Sequence, residues 1–407
     1  MVNVGIDLHK TQFTVCVRGR KGDRFAKYPT TEKGYQAFFE EAAVWQRKGE
    51  EVRVGVESTG NTRYFKSRME GAGIGVTVIN TMKLKVVTES VKKTDKHDAS
   101  TIAEFLEKDI LPKSRLCSRE SEQMRRLLKV RTTLVRAQVV IKNQIHALLS
   151  AEGMEDVKSA ELQSKRGRKR VLDALKEWEH GLVAQPLLET IERLEENVKV
   201  IEEELRTLID GDRMVELLMS IPGCGEIGAW TIRAYTDDIK RFSSAKKYCA
   251  YAGLVPWVQN SNETVHHGKI TKRGPRELRT ALVQVVMGLR RMKAKTLVWR
   301  FMQRYEAMKK GKGSGKAIIA TARKMATVIW HMLTEEVEFD IVKMVDRKLA
   351  KKSEAMRKSD GLVQDALVEE QEKPASKRKE EKGSKKLALP VKQIKERKKL
   401  SNGSLDG

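Results

Sequence analysis

In the N-terminal part of the chain, short apolar runs alternate with polar segments that contain turn residues. The first three runs are only a few residues apart, and Gly19 to Gly22 has the chemistry of a turn, so we expect an antiparallel meander. Bulky apolar side chains such as Phe38 and Trp45 then recur at helical spacing. The predicted elements are strands at 2–8, 12–17 and 24–28, a helix at about 31–48, a strand at 52–56, a helix near 62–70 and a strand at 75–79. The order β-β-β-α-β-α-β predicts an α/β domain.

Beyond about residue 112 the pattern becomes helical. A long basic helix is expected from about 118 to 149, and a second helical stretch carries apolar residues at intervals of three and four. These residues are Ile191, Leu194, Val198, Ile201, Leu205 and Leu208. The spacing is that of a coiled-coil seam, which can close within one chain or join two chains, and we favour a role in self-association.

These changes of pattern predict four parts of the chain. They are an α/β domain over 1–112, a helical coiled-coil region over 113–213, a mostly helical domain over 214–340 and a basic, disordered tail over 341–407. The tail is rich in Lys, Glu, Ser and Gly and contains few large apolar residues, so it cannot bury a core.

The charge of the chain changes the picture, because 80 Lys and Arg face 55 Asp and Glu, a net charge of +25. Most of this excess lies outside the tail, which predicts a polyanionic partner such as nucleic acid. The four cysteines are far apart and form no Cys-x-x-Cys pair, and no long apolar segment is free of charge. We therefore expect a reduced, cytoplasmic protein with no disulfide framework and no membrane contact.

Four acidic residues stand where they could converge. Asp7 and Glu57 each end a predicted strand, and Asp95 and Asp98 are three residues apart, so on a helix they face the same side. Four carboxylates in one place repel one another unless a cation neutralises them, and oxygen ligands favour Mg²⁺, for which Mn²⁺ can substitute. The pattern predicts a metal site of the kind used in phosphoryl transfer. The alternative is that each acid only forms a turn or a helix start.

Two features of the C-terminal half indicate contacts with nucleic acid. The segment Ile221-Pro222-Gly223-Cys224-Gly225 is typical of a helix-hairpin-helix turn, in which glycines let a helix N-terminus approach a DNA phosphate. A plain tight turn is the alternative. Further along, Ser261 lies in a polar stretch among cations that would stabilise charge in an attack on a phosphodiester. The alternative is that Ser261 lies in a polar loop and has no chemical role. The candidate nucleic-acid-binding residues are Gly223, Gly225, Lys269, Lys272, Arg273, Arg276 and Arg279.

Taken in order, several segments resemble the DEDD-type insertion-sequence transposases. They are 4–7, 56–60, 93–99, 221–225, 252–256 and 268–274. The resemblance implies a RuvC-like, RNase H-type N-terminal domain, a central coiled coil and a C-terminal transposase domain with a helix-hairpin-helix-like motif. It implies that Asp7, Glu57, Asp95 and Asp98 bind the metal and that Ser261 is the nucleophile. Ser261 is followed by Asn262 where the family usually has Gly.

The resemblance also implies the activity and the partners. Members of the family are recombinases that act on double-stranded target and donor DNA, guided by a structured RNA, as dimers or tetramers. We therefore expect a transposase that exchanges DNA strands through a covalent phosphoserine. The alternative is a structure-selective nuclease of the junction-resolvase type that uses water as nucleophile. A third hypothesis is a nucleic-acid-binding assembly protein whose acids are only structural.

Overall fold

The computed structural model describes residues 1–19, 22–80, 84, 94–154, 160–177, 181–261, 264–292 and 300–340. Its internal contacts divide the chain into two units, one from Met1 to Arg126 and one from Leu127 onward. The predicted basic tail over 341–407 lies outside the described residues, and so does Asn262.

The N-terminal unit is built on a mixed sheet. Its elements are β1 (Val2–Leu8), β2 (Gln12–Val17), β3 (Arg24–Pro29), α1 (Glu32–Arg47), β4 (Val52–Glu57), α2 (Thr62–Gly71), β5 (Gly75–Ile79) and α3 (Asp95–Glu107). Within the described residues, five strands form one sheet in the order β3-β2-β1-β4-β5. Strand β2 pairs antiparallel with both β1 and β3, whereas β1, β4 and β5 run parallel. The α/β character and the element order predicted from the sequence are confirmed.

One face of this sheet is covered by an aromatic core. Phe13 of β2 stacks on Tyr35 of α1 and meets Phe38 and Phe65 edge to face. All four side chains are buried. Their burial removes a large apolar area from water and fixes α1 and α2 against β1, β2 and β4.

The other face of β1 lies against α3 at very short range. A Cβ atom at Gly5 would lie 2.0 Å from the carbonyl oxygen of Ala99 and 2.4 Å from the nitrogen of Ala103. Cys16 is buried together with these two alanines, so the contact is made by small residues. Since no side chain fits between strand and helix, Gly5 sets the distance between β1 and α3.

The second unit is mostly helical. Its elements are α4 (Arg119–Ala151, which begins in the first unit), α5 (Lys165–Glu177), α6 (Gly181–Leu208), α7 (Arg213–Met219), α8 (Glu226–Thr236), α9 (Ala245–Tyr251), β6 (Pro256–Ser261), β7 (Thr264–Ile270), α10 (Arg276–Arg291), α11 (Arg300–Lys312) and α12 (Ser314–Glu335). The long helix expected at about 118–149 is present as α4. None of the described helices is long and apolar enough to cross a membrane.

The heptad seam lies along α6, and part of it is buried within the chain. Ile191 belongs to a buried cluster that includes Ile145 of α4. Further along, Glu202 of α6 forms an ion pair of 2.7 Å with Arg131 of α4. Val200, between these contacts, is 66% exposed. The seam thus packs within the single chain at Ile191, and its pairing with a second chain stays a prediction.

Candidate functional site

An acidic cluster lies at the carboxyl end of β1. His9 Nε2 is 3.0 Å from Asp7 Oδ2 and 3.5 Å from Asp95 Oδ1. Each of these three residues offers one ligand atom, and the three atoms lie within 4.8 Å of one another. The structure therefore brings Asp7 and Asp95 together, although 88 positions separate them in the sequence.

The sheet explains the positions of the two strand-end acids. Strands β1 and β4 are parallel neighbours, and Ile6 pairs with Val56. The next residues are Asp7 and Glu57, so both acids lie at the same edge of the sheet. The group of three does not include Glu57, whose place at this edge follows from the register alone.

The first turn of α3 supplies the other two acids. Thr94 caps this helix, because its Oγ1 accepts a hydrogen bond of 3.2 Å from the main-chain N–H of His97. Asp95 and Asp98 follow in the first turn, where the positive end of the helix dipole favours negative charge. The close packing of α3 on Gly5 holds this turn beside the end of β1.

Sequence reasoning missed His9. Residues i and i+2 of a strand point to the same face, so the spacing Asp7-Leu8-His9 could have indicated it. Its main chain is well anchored: the N–H donates to the carbonyl of Gln12 at 2.9 Å, and the carbonyl accepts from Asn61 Nδ2 at 2.9 Å. The position of His9 is therefore set by β1, β2 and the turn after β4.

The electrostatics of the cluster favour a bound cation. Burial raises the pKa of Asp7 above its ordinary value, and the charges of Asp95 and Asp98 raise it further, whereas His9 lowers it. Asp98 is thus near enough to act on Asp7. Because the Asp7 carboxylate ionises against its burial and against the charges of Asp95 and Asp98, a positive charge beside it is stabilising.

The donors at this edge fit a divalent metal ion. Two carboxylates and an imidazole nitrogen lie close together. Carboxylate oxygens are common ligands of Mg²⁺ and Mn²⁺, and an imidazole nitrogen is a common ligand of later transition metals. The side chain of Asp7 is 14% exposed and that of Asp95 is 38% exposed, so the cluster can be reached from solvent.

Ser261 belongs to the second unit, and the structure corrects its predicted setting. It is the last residue of β6, which pairs with β7 in an antiparallel hairpin, and it lies opposite Thr264. The sequence was interpreted as a polar loop because Gln259 to Asn262 are all polar. The hairpin forms because valines flank this stretch, at Val258 and Val265.

The cations at the end of β7 and after it have different roles. Lys269, Arg273 and Arg276 are exposed. Arg279 instead donates to the carbonyls of Ala252 at 3.2 Å and Lys272 at 3.3 Å. Arg279 therefore holds the segment after β7 in place. Lys272 is also exposed, and its φ of 52° is a left-handed conformation that the hydrogen bond from Arg279 to its carbonyl stabilises.

The glycine-containing turn between α7 and α8 packs against another helix at one of its two glycines. Gly223 has a φ of 82°, and a Cβ there would lie 2.8 Å from the main chain of Gly288 in α10. Gly225 precedes α8 as its N-cap, and a Cβ there would meet nothing within 4 Å. Gly223 is thus needed for helix packing, whereas Gly225 leaves the helix N-terminus open.

Comparisons with known proteins identify the family of this chain. Residues 4–152 match a family model for DEDD transposases of the IS110 type, whose description is "Transposase". Residues 215–299 match a second family model, described as "Transposase IS116/IS110/IS902 family". The first match contains all four acids, and the second contains Ser261. The chain belongs to the IS110 family of DEDD-type transposases.

Full-length relatives support this assignment. This transposase is 28% identical to the transposase for insertion sequence element IS1111A of Coxiella burnetii, over 82% of this chain and 90% of that protein. It is 24% identical to the transposase for insertion sequence element IS1328 of Yersinia enterocolitica, over 83% and 98%. It is also 23% identical to a pilin gene-inverting protein of Moraxella bovis, over 83% and 97%. This protein is therefore an enzyme of the DNA transposase class.

Proposed function

We propose that this transposase cuts and rejoins DNA through a covalent bond to Ser261 and that its acidic cluster holds Mg²⁺. The observation that carries the proposal is the meeting of Asp7, His9 and Asp95 at the carboxyl end of β1. The sheet order β3-β2-β1-β4-β5 supports an RNase H-type, RuvC-like fold for this unit.

Asp7, Glu57, Asp95 and Asp98 would hold the metal, with His9 as a further donor. Mg²⁺ would supply charge neutralisation on a phosphate undergoing transfer. The chain's own contribution is to keep the carboxylates in place, since burial and the neighbouring acids oppose ionisation of Asp7 and a bound cation would favour it. The Thr94 cap and the Gly5 contact hold Asp95, and the hydrogen bond from Asn61 holds His9.

Ser261 would be the nucleophile in the strand exchange. Its Oγ attacks a phosphorus atom, the bond from that phosphorus to a 3′-oxygen breaks, and the leaving oxygen takes up the proton that the serine gives up. A 5′-phosphoserine and a free 3′-hydroxyl result. A second 3′-hydroxyl then attacks the phosphoserine and releases Ser261, so the energy of the phosphodiester bond is conserved. The polarity of this link follows from the family resemblance.

The exposed cations at the end of β7 and after it are suited to binding nucleic-acid phosphates. Lys269, Lys272, Arg273 and Arg276 lie within eight positions of one another, close to Ser261 in the chain. Positive charge near Ser261 would stabilise the negative charge that develops on the phosphate during the attack. Gly225 leaves the N-terminus of α8 open, as a helix-hairpin-helix contact to a phosphate requires.

The proposed partners are double-stranded target and donor DNA and a structured guide RNA, bound by an oligomer. The net charge of +25 supports binding of polyanions. Self-association through the coiled coil of α4 and α6 is supported by the exposed Val200 and by Val139 and Val140, which are 51% and 58% exposed.

The test substitutes the serine and one of the acids in separate variants. Ser261→Ala is expected to abolish both strand exchange and the protein–DNA adduct seen by denaturing electrophoresis, and Asp7→Asn is expected to abolish strand exchange. Both variants should keep RNA binding. Ser243→Ala and Asp210→Asn change exposed residues of the second unit and serve as controls. Full exchange by the Ser261→Ala protein would rule out the covalent step.

The nuclease alternative has its own outcome in the same experiment. If water were the nucleophile, Ser261→Ala would still cut DNA, and no adduct would be found with the unmodified protein. Sequencing of the nucleic acid that co-purifies with the protein tests the guide. A single discrete RNA encoded beside the gene is expected, and a mixture of unrelated RNAs would contradict the guided reaction.

A further inference from the structure

A groove in the second unit contains Arg276 together with residues that have not been discussed so far. Helices α4, α8 and α10 form its walls, and its volume is about 460 Å³. Pockets that hold small ligands in proteins range from roughly 300 to 1,000 Å³. A double helix cannot enter a space of this size, whereas one or two nucleotides of a single strand can.

The charges that line the groove favour an anion. Lys129 and Arg136 face it from α4 and Arg276 faces it from α10, and all three are exposed. Of the described residues that line the groove, Glu277 is the acidic one. The net positive lining is suited to phosphate groups, and the three cations come from two different helices.

The hydroxyl groups of three threonines in the groove bear on which kind of nucleic acid would fit it. Thr132, Thr133 and Thr231 line it, and each donates its hydroxyl proton to the carbonyl four residues earlier, at 2.8, 3.1 and 2.6 Å. A hydroxyl has one proton to donate and two lone pairs. These oxygens therefore offer acceptor positions to a ligand, and a ligand that donates hydrogen bonds suits them best.

A ribose 2′-hydroxyl is such a donor, and deoxyribose lacks it. The groove also has an apolar part, and the half-buried Tyr235 lies in its wall, where an aromatic ring can stack on a base. The cations suit phosphates, the threonine oxygens suit 2′-hydroxyls, and the ring of Tyr235 suits a base. From this match we infer that the groove between α4, α8 and α10 binds a single-stranded segment of RNA.

This inference rests on the proposed function, since it names where the RNA partner is held. The first test compares binding of short fluorescent oligonucleotides of one sequence, made of RNA or of DNA, to the full-length protein. Replacing Thr132, Thr133 and Thr231 together by Val keeps their shape and removes the acceptors. RNA affinity is expected to fall about tenfold, and DNA affinity to stay within about twofold.

The second test removes the charges. Changing Lys129, Arg136 and Arg276 to Ala should weaken binding of both oligonucleotides and lower the slope of log affinity against log salt by about 2, at roughly 0.7 per phosphate contact. A control protein has Ala at Lys240, Lys246 and Lys247, three exposed cations of the same unit outside the groove. Equal losses in the two triple variants would overturn the assignment.

A direct test locates the RNA. A 4-thiouridine oligonucleotide crosslinked to the protein is expected to label peptides that contain 128–136 or 227–235. Labelling confined to other peptides, or equal binding of RNA and DNA by the unmodified protein, would overturn the groove assignment alone. If the unmodified protein bound no nucleic acid at all, the proposed function itself would fail. Thermal melting shows whether each variant is folded.

Discussion

The acidic cluster and the serine hairpin are held in very different ways. Asp7 lies near the end of β1, a strand on which Val4 and Ile6 are completely buried. Ser261 ends a strand that, in the described part of the chain, pairs with β7 and no other strand. On this strand Trp257 and Val258 are 51% and 46% exposed. A core fixes the acids, whereas a narrow ribbon carries the serine.

The difference matches the two proposed tasks. Metal ligands must be held within a fraction of an ångström, and a buried sheet can do so. A two-stranded hairpin is only marginally stable, so its end can move at little cost to the rest of the fold. We therefore expect substitutions around the acids to act through stability and those in the hairpin to act on the reaction.

The largest effect is expected at Gly5. Gly5→Ala places a Cβ against the main chain of α3, which no change of side-chain rotamer relieves, and should cost about 3 kcal/mol or more of unfolding free energy. Gly75→Ala is the control in the same sheet, because a Cβ there would meet nothing within 4 Å. Urea denaturation of the two proteins measures the difference. Equal midpoints would show that β1 and α3 are not held as tightly as described.

A somewhat smaller loss is expected at Gly288, which tests whether the turn between α7 and α8 belongs to a rigid core. A Cβ at Gly288 would lie 2.4 Å from the carbonyl oxygen of Gly223, so Gly288→Ala should lower the unfolding free energy by about 2 kcal/mol. Gly315→Ala in α12 meets nothing and should be neutral or stabilise by up to about 1 kcal/mol. A neutral Gly288→Ala would free Gly223 for a role in DNA contact.

In the hairpin, a substitution should affect strand exchange more than stability. The ring of Trp257 lies over Gly268 of the partner strand, where a Cβ would be 3.0 Å from it. Trp257→Ala should change the unfolding free energy by less than about 1 kcal/mol and reduce strand exchange by at least about tenfold, because the end of β6 loses its position. Val337→Ala changes an apolar residue that is 44% exposed and lies outside the hairpin and the proposed association surface, and it is the control for both assays. A large loss of stability would remove the contrast with the acidic cluster.

The smallest effect is expected from Asp7 itself, in metal-free protein. Its raised pKa means that the folded state binds a proton more tightly than the unfolded state, so stability falls as pH rises through that pKa. Asp7→Asn removes this loss and should raise the melting temperature in EDTA at pH 7 by about 2 °C. Added Mg²⁺ should raise the melting temperature of the unmodified protein and leave that of the variant unchanged. A lower melting temperature for the variant in EDTA would contradict the electrostatic interpretation.

The sequence was sufficient for features that depend on local spacing. Alternation with a period of two and short turns identified the strands, and the strand ends identified Asp7 and Glu57 as neighbours. The pair Asp95 and Asp98 could be assigned to one helix face because they are three residues apart. Their distances from Asp7 could not be predicted, because these depend on how closely α3 packs on β1.

Other features depend on contacts between distant parts of the chain. The spacing of His9 from Asp7 is visible in the sequence, but its contact with Asp95 depends on how α3 packs beside β1. Gly223 resembles a phosphate-binding glycine in sequence, but its partner, Gly288, is 65 residues away. The hairpin was missed because its polar residues outweighed the two valines. The lining of the RNA groove comes from three helices, and no single segment of sequence contains it.

The contact at Gly5 also bears on how insertion elements decay. A larger residue at position 5 would meet the main chain of Ala99, so no substitution at 99 or 103 could make room for it. Only a shift of α3 could, and that shift would carry Asp95 and Asp98 away from Asp7. Position 5 therefore has no compensating mutation elsewhere in the contact. Among the copies of this element in a genome, loss of Gly5 is expected to mark those that can no longer move, even where all four acids and Ser261 survive.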